Sequence, residues 1–283
     1  MNNNFNWDRF KNVVRYDIAA NRKTTLVFFF VLAFVMFSSH AFRIVNALYT
    51  IENMTAMAEH TNYFLDKGLE YKACLNFSGG VAFVVYWLFF IVVGSFVFFN
   101  MRTKQQKIGI LVQPATHLEK FVARVLWVTV VMSLVYLAAV MFSDVLRFLL
   151  CKIIGIPAVG SVTVRMFEMP FQLNFEDSSL AMKCYCLFTM WLTIVMMQSV
   201  YVLAGTLLTR NQWLLTTAVV IVVMLVWAQF SLEGFDFFMP DHHIGLKALV
   251  VLPVQLSVTV FCYWRAYKTF CGMQVINNKW INA

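Results

Sequence analysis

Six stretches of this 283-residue chain contain no Asp, Glu, Lys or Arg and are 17 to 29 residues long. An α-helix needs ~20 apolar residues to cross a bilayer, so each stretch could span one. The stretches are Thr24–Phe42, Ala73–Met101, Val125–Ser143, Cys184–Thr209, Asn211–Leu232 and Ala248–Trp264. Only 13% of all residues are charged, whereas soluble domains carry about 25%. We therefore predict an all-α integral membrane protein with six transmembrane helices, at about 24–43, 74–101, 123–143, 183–208, 213–231 and 248–265.

The distribution of charge orients these spans. If both termini lie in the cytoplasm, the inner segments hold 14 of the 22 cations and three of the 14 acids, a net charge of +11. The outer segments then carry a net charge of −3. Because cytoplasmic loops are enriched in Lys and Arg, this bias predicts that both termini are cytoplasmic. A basic membrane-facing surface also accounts for the overall charge of +8, without nucleic acid as a partner.

The first 23 residues precede the spans and are predicted to form a segment of their own, ahead of a six-span domain over 24–283. Trp7, Phe10, Val14 and Ile18 recur at steps of three or four and share one face of a helix. This pattern predicts an interfacial amphipathic helix on the inner leaflet of the bilayer, with its cations toward lipid phosphates. A cleaved signal peptide is the alternative, but the apolar run that follows is too long for one and favours an uncleaved first span.

The chain shows no motif for chemistry of its own. The dipeptide Gly-Lys never occurs, so the chain lacks the P-loop that holds ATP. Asp241-His242-His243 lie between two predicted spans, where an exposed turn explains adjacent residues better than a zinc site. The HExxH motif is absent, and the six cysteines show no metal-type spacing. We predict no catalytic, cofactor-binding or metal-binding residues and no enzymatic activity.

One long polar interval, Asn100–Arg124, is flanked closely on both sides by spans and carries five cations and one acid. Thr116-x-x-Glu119 matches a capping box, which predicts a helix that starts at this point and leads into the third span. A structured cytoplasmic loop with cations and a few apolar side chains suits a docking partner better than an ordinary connector. The predicted docking residues are Arg102, Lys104, Lys107, Ile110, Leu111, Pro114, Thr116, Glu119 and Lys120.

The same interval resembles a known family. Its sequence is similar to the pattern TK…L-x-x-P-A-[ST]-x-x-E-K-[FY] of type-2 ATP-binding-cassette (ABC) permeases, and most to a subgroup common in the Bacteroidota. The matching residues are Thr103-Lys104 and then Leu111-Val112-Gln113-Pro114-Ala115-Thr116-His117-Leu118-Glu119-Lys120-Phe121. Gln113 stands where many of those permeases have Leu. The resemblance implies that the loop docks on a separate P-loop ATPase, that ATP and Mg bind in that partner, and that two permeases pair as a homodimer or a heterodimer.

From these observations we expect the permease subunit of an exporter in a bacterial inner membrane, driven by ATP that the partner hydrolyses. Two alternatives stay open. An ion-coupled secondary transporter is disfavoured because the six stretches lack ionisable residues, although carbonyls and hydroxyls can hold Na⁺. A non-transporting membrane anchor or sensor would use the outer segments 46–72 and 144–180 as its binding surface.

Overall fold

The computed structural model describes residues 5–61, 67–101, 104–155, 160–172, 180–208, 212–230 and 244–272. Arg102, the turn at 209–211 and Asp241-His242-His243 lie outside these ranges. None of the residues within them forms a β-strand. The helices are α1 (Trp7–Ala20), α2 (Arg22–Thr61), α3 (Lys67–Val93), α4 (Lys104–Leu111), α5 (His117–Leu126), α6 (Met132–Ile154), α7 (Val162–Gln172), α8 (Leu180–Leu207), α9 (Gln212–Phe230) and α10 (Ile244–Cys271). Two 3₁₀ turns, Gly94–Phe96 and Phe99–Met101, follow α3, and a π-helical turn, Trp127–Val131, joins α5 to α6.

Four helical segments are long and apolar enough to cross a membrane. They are Arg22–Thr50, Tyr71–Phe96, His117–Ile154 and Leu187–Leu207. They overlap the first four predicted spans, and they confirm an all-α, multi-pass membrane protein. The fifth and sixth predicted spans fall in α9 and α10. The part of α9 with described side chains, Gln212–Val222, is an apolar helix.

The chain divides into two compact units. Unit 1 consists of Met1–Asn21, Phe89–Met132 and Glu176–Ala283, and unit 2 of Arg22–Leu88 and Ser133–Phe175. Unit 1 therefore contains the N-terminal helix together with the whole polar interval between the second and third spans.

Tyr136 joins three helices of unit 2. Its side chain is fully buried, and its hydroxyl donates a hydrogen bond of 2.6 Å to the carbonyl oxygen of Ala82 in α3. The same hydroxyl lies 4.0 Å from the sulfur of Met36 in α2, and the tyrosine ring packs against Tyr86. A buried Tyr hydroxyl needs a polar partner, and this one finds it on a neighbouring helix.

Helix α6 continues past the predicted end of the third span at 143 and carries two buried charges, Asp144 and Arg147. Arg147 Nε donates to Asp144 Oδ1 over 2.8 Å, and Arg147 Nη2 donates to the carbonyl oxygen of Gly160 over 2.6 Å. The second carboxylate oxygen of Asp144 accepts from the Ser161 hydroxyl at 2.6 Å and from the Val162 amide at 3.0 Å. Asp144 therefore caps the first turn of α7 from another helix. Buried charges are costly unless they are paired, and both of these are paired. The sequence alone does not reveal this pairing.

Gly205 on α8 allows a close approach within unit 1. A Cβ atom at this position would lie 2.6 Å from the carbonyl oxygen and 3.1 Å from the carbonyl carbon of Ser95, in the 3₁₀ turn after α3. We expect Gly205→Ala to lower the free energy of unfolding by about 1–3 kcal/mol, because two backbone segments must separate. Thermal unfolding of the full chain in detergent would measure the loss.

The control for this prediction is Gly80→Ala in α3, where the nearest atom is the mobile end of Met169 at 3.9 Å. That variant should unfold within a few tenths of a kcal/mol of the native chain or be slightly more stable, since Ala is the better helix former. Equal unfolding temperatures for the two variants would contradict the close contact at Gly205.

Candidate functional site

Helix α5 begins with the capping box that the sequence predicts. The Thr116 hydroxyl oxygen accepts a hydrogen bond of 3.2 Å from the Glu119 amide. In return, Glu119 Oε2 accepts a bond of 2.8 Å from the Thr116 amide. The two bonds satisfy N–H groups that have no partner within the helix, and they fix the direction in which the chain enters α5.

The other carboxylate oxygen of Glu119 binds the N-terminal segment. Glu119 Oε1 accepts from the Asn6 amide over 2.7 Å and from Arg9 Nη2 over 3.2 Å, while the Glu119 side chain is fully buried. Asn6 is itself the N-cap of α1, and its side-chain oxygen accepts from the amides of Asp8 and Arg9. The Glu119 carboxylate therefore accepts hydrogen bonds from the N-cap residues of both α1 and α5, although Asn6 and Glu119 are 113 positions apart in the chain.

Helix α1 is amphipathic, but the face that it buries differs in part from the predicted one. Phe10 and Val13 are buried in a small core with Ala115 and Ala123, and Val14 packs at its edge. Two further members of the predicted face point outward, since Trp7 is 60% exposed and Ile18 is 45% exposed. Helix α5 thus covers one side of α1 and leaves an aromatic and apolar rim available to lipid.

Asp17 and Arg124 form a buried ion pair further along the same contact. Arg124 Nη2 lies 3.8 Å from Asp17 Oδ1, and both side chains are more than nine-tenths buried. Burial raises the pKa of the Asp17 carboxyl above its usual value, and the positive charge of Arg124 opposes part of that rise. A separation of 3.8 Å is too long for a direct hydrogen bond, so the pair is held by charge alone at this distance.

The predicted docking residues differ in how far they are buried. Ile110, Glu119 and Lys120 are buried and therefore stabilise the interval from within. Pro114 is exposed and Thr116 is half-buried. Lys104, Lys107 and Leu111 are described only as positions of helix α4.

Two apolar residues of α4 and the position after it, outside the predicted docking set, are exposed. Ile108 is 47% exposed and Val112 is 74% exposed, at the end of α4 and just beyond it. They form part of the apolar surface of this interval, to which Leu118, 45% exposed, also belongs. Their exposure could be suspected from the sequence, because both are aliphatic residues in a short polar interval, but only the structure separates them from the buried Ile110.

Sequence reasoning did not identify Asn6, Asp17 or Arg124 as members of this site. A weak signal existed for Asp17, which lies seven residues after Phe10 and so returns to the same side of the helix. For Asn6 the only hint was its position as a capping residue before the first apolar residue of α1. Among the described residues, no group of His, Cys, Asp and Glu could hold a metal ion.

No protein-family model, curated protein or solved structure matches this chain. The resemblance of residues 103–121 to type-2 ABC permeases therefore stays a prediction from the sequence.

Proposed function

We propose that the chain is the permease subunit of an ABC-type exporter, and that residues 104–121 dock on a separate P-loop ATPase. The observation that carries this proposal is the double cap made by Glu119, which fixes the interval and the N-terminal helix to each other. An ordinary connector between two spans needs no such fixation. A surface that must transmit force from a partner does, because a loose loop would absorb the movement.

The exposed part of the interval suits a protein partner. Ile108 and Val112 supply apolar contacts, and the fixed turn at Pro114 presents them without a large loss of chain entropy on binding. Glu119 and Lys120 are buried in the helix that follows, α5. Interfaces of this kind depend on a few apolar anchors surrounded by polar contacts.

Movement at the interval would reach the first span through α1. Asn21 is the single residue between α1 and α2, and both its amide and its side-chain nitrogen donate to the carbonyl oxygen of Asp17. Both bonds hold Asn21 to the last turn of α1, and this single-residue link is the route by which movement of α1 would reach α2. The exposed Trp7 and Ile18 would keep α1 in the interface of the inner leaflet.

The remaining parts of the proposal follow the charge bias and the resemblance. The chain has six spans, with α9 and α10 as the fifth and sixth, and both termini lie in the cytoplasm of a bacterium. A second permease chain completes the path through the inner membrane, and ATP and Mg bind in the ATPase. The exported substrate is unidentified.

The test is co-purification. An affinity-tagged full-length chain extracted from its native membranes in mild detergent should retain a P-loop ATPase, identified by mass spectrometry and by ATP hydrolysis. A tagged, unrelated multi-pass protein from the same membranes is the control for non-specific recovery. Repeated isolation of the intact chain with no P-loop ATPase would refute the proposed function.

A second candidate, ion-coupled transport, gains support from one observation. Asp144 and Arg147 are buried in a helix that is able to cross the membrane, and His40 is buried within electrostatic range of both. Buried ionisable groups in spans are typical of ion-coupled carriers. Against this, each carboxylate oxygen of Asp144 already has a partner within unit 2. A flux that survives ATP depletion and stops with an ionophore would favour this candidate.

A further inference from the structure

A small cavity lies beside the ion pair of Asp17 and Arg124. Its volume is about 10 Å³, and it is lined by Asp17, Asn21, Phe96, Val97, Arg124 and Trp127. This is the space that one water molecule requires, and a water stays in such a site when two or more polar groups face it. The lining supplies a carboxylate, a guanidinium and an amide.

One oxygen of Asp17 is available to a ligand in this cavity. Asp17 is 3% exposed, and its Oδ2 atom has no hydrogen-bond partner among the described residues. A buried carboxylate oxygen without a hydrogen bond is costly, and native proteins rarely leave one. The distance of 3.8 Å from Asp17 Oδ1 to Arg124 Nη2 also leaves the pair without a direct hydrogen bond.

The cavity lies where two helical irregularities meet. Phe96 ends the 3₁₀ turn after α3, and Trp127 begins the π-helical turn after α5. Such breaks in the regular hydrogen-bond pattern concentrate at hinges and functional positions. Helix α1 reaches the cavity through Asp17 and its joint residue Asn21, and α5 reaches it through Arg124.

We propose that this cavity binds one water molecule that bridges Asp17 Oδ2 to Arg124, and that the hydrated pair is an adjustable contact between α1 and α5. A water bridge maintains both hydrogen bonds while the charged groups change their separation, which a direct bidentate pair could not do. The second half of this inference rests on the proposed function.

Hydroxyl-radical footprinting of the full chain in lipid nanodiscs tests whether the cavity holds a water molecule. Bound water delivers radicals to buried side chains, so Trp127, which is only 4% exposed, should be oxidised about threefold or more above Tyr136, which is fully buried in unit 2. Oxidation of Trp127 at the level of Tyr136 would overturn the water site.

Two double variants make the test specific. D17L/R124M replaces the buried pair by apolar side chains, a change that proteins often tolerate, and it should bring Trp127 oxidation down to the level of Tyr136. D8L/K11M removes an exposed pair of α1 with the same 3.8 Å separation, and it should leave Trp127 oxidation unchanged. Persistent oxidation of Trp127 in a folded D17L/R124M chain would show that its radicals do not come from the bridging water.

Footprinting of the complex with the ATPase tests whether the contact between Asp17 and Arg124 adjusts. Trapping the complex with ATP and vanadate should change Trp127 oxidation by about twofold or more, in line with the couplings of about 2- to 30-fold known between linked sites. A signal that is identical in trapped and nucleotide-free complexes would overturn the adjustable contact. If no ATPase binds the chain, the proposed function and this second half fail together, while footprinting of the chain alone still decides on the water.

Discussion

Glu119→Gln is expected to release α1 from α5 and to lower the free energy of unfolding by about 2–4 kcal/mol. The carboxylate accepts from Asn6, Arg9 and Thr116, and it is fully buried. An amide of the same size has one acceptor oxygen, so its NH₂ group would face an N–H donor and leave that donor without a partner. Limited proteolysis of the N-terminal segment and thermal unfolding of the full chain would both report the release.

Glu168→Gln provides the matched control for this substitution. Glu168 pairs with Arg165 on the same helix over 2.7 Å, but its side chain is 44% exposed. An exposed pair contributes about 0–1 kcal/mol, so this variant should unfold like the native chain and keep α1 protected from protease. If Glu119→Gln were equally harmless, Glu119 would not be the attachment point of α1.

Under the proposed function, Val112→Asp is expected to weaken the association with the partner ATPase by about 30-fold, which corresponds to the loss of one interface anchor of about 2 kcal/mol. The native side chain is largely exposed and lies just after α4, so the substitution removes an apolar contact and places an unpaired charge in the interface. The fold should be unaffected, because the Val112 amide still donates to the Ile108 carbonyl oxygen. Titration of the purified ATPase onto the chain in nanodiscs would measure the affinity.

Val164→Asp is the control for the docking surface. Val164 lies in α7 in unit 2, outside the four long apolar segments, and is 55% exposed, so it offers the same change away from the interval 104–121. The Val164 variant should bind the ATPase as the native chain does. Equal weakening by both substitutions would mean that the loss is a general effect of surface charge, and the docking role of Val112 would be abandoned.

The helices could be predicted from the sequence because their signals are local. Stretches without charge are long enough to span a bilayer, and the capping box is a pattern of four residues around Thr116 and Glu119. Each of these features depends on residues that are close in the chain, and the first four spans and the start of α5 were therefore predictable.

The contacts of the site depend on pairings across long stretches of chain. Nothing near Asn6 indicates that its amide binds Glu119, and nothing near Asp17 indicates a partner at Arg124. The apolar face of α1 was predicted on the assumption that the membrane is the only apolar surface beside this helix. The structure adds α5 as a second one, and the buried face rotates toward Val13 and Asp17 as a result.

The cap that Asp144 provides for α7 has a consequence for the order in which the chain is assembled in the membrane. Arg147 can pair with Asp144 as soon as α6 forms, but the remaining partners, Ser161 and the Val162 amide, are synthesised later. Until they leave the ribosome, one carboxylate oxygen of a helix entering the bilayer lacks its native hydrogen bonds. The native pairing of Asp144 is therefore complete only after both α6 and α7 have been synthesised, and the cap of α7 forms in the same step.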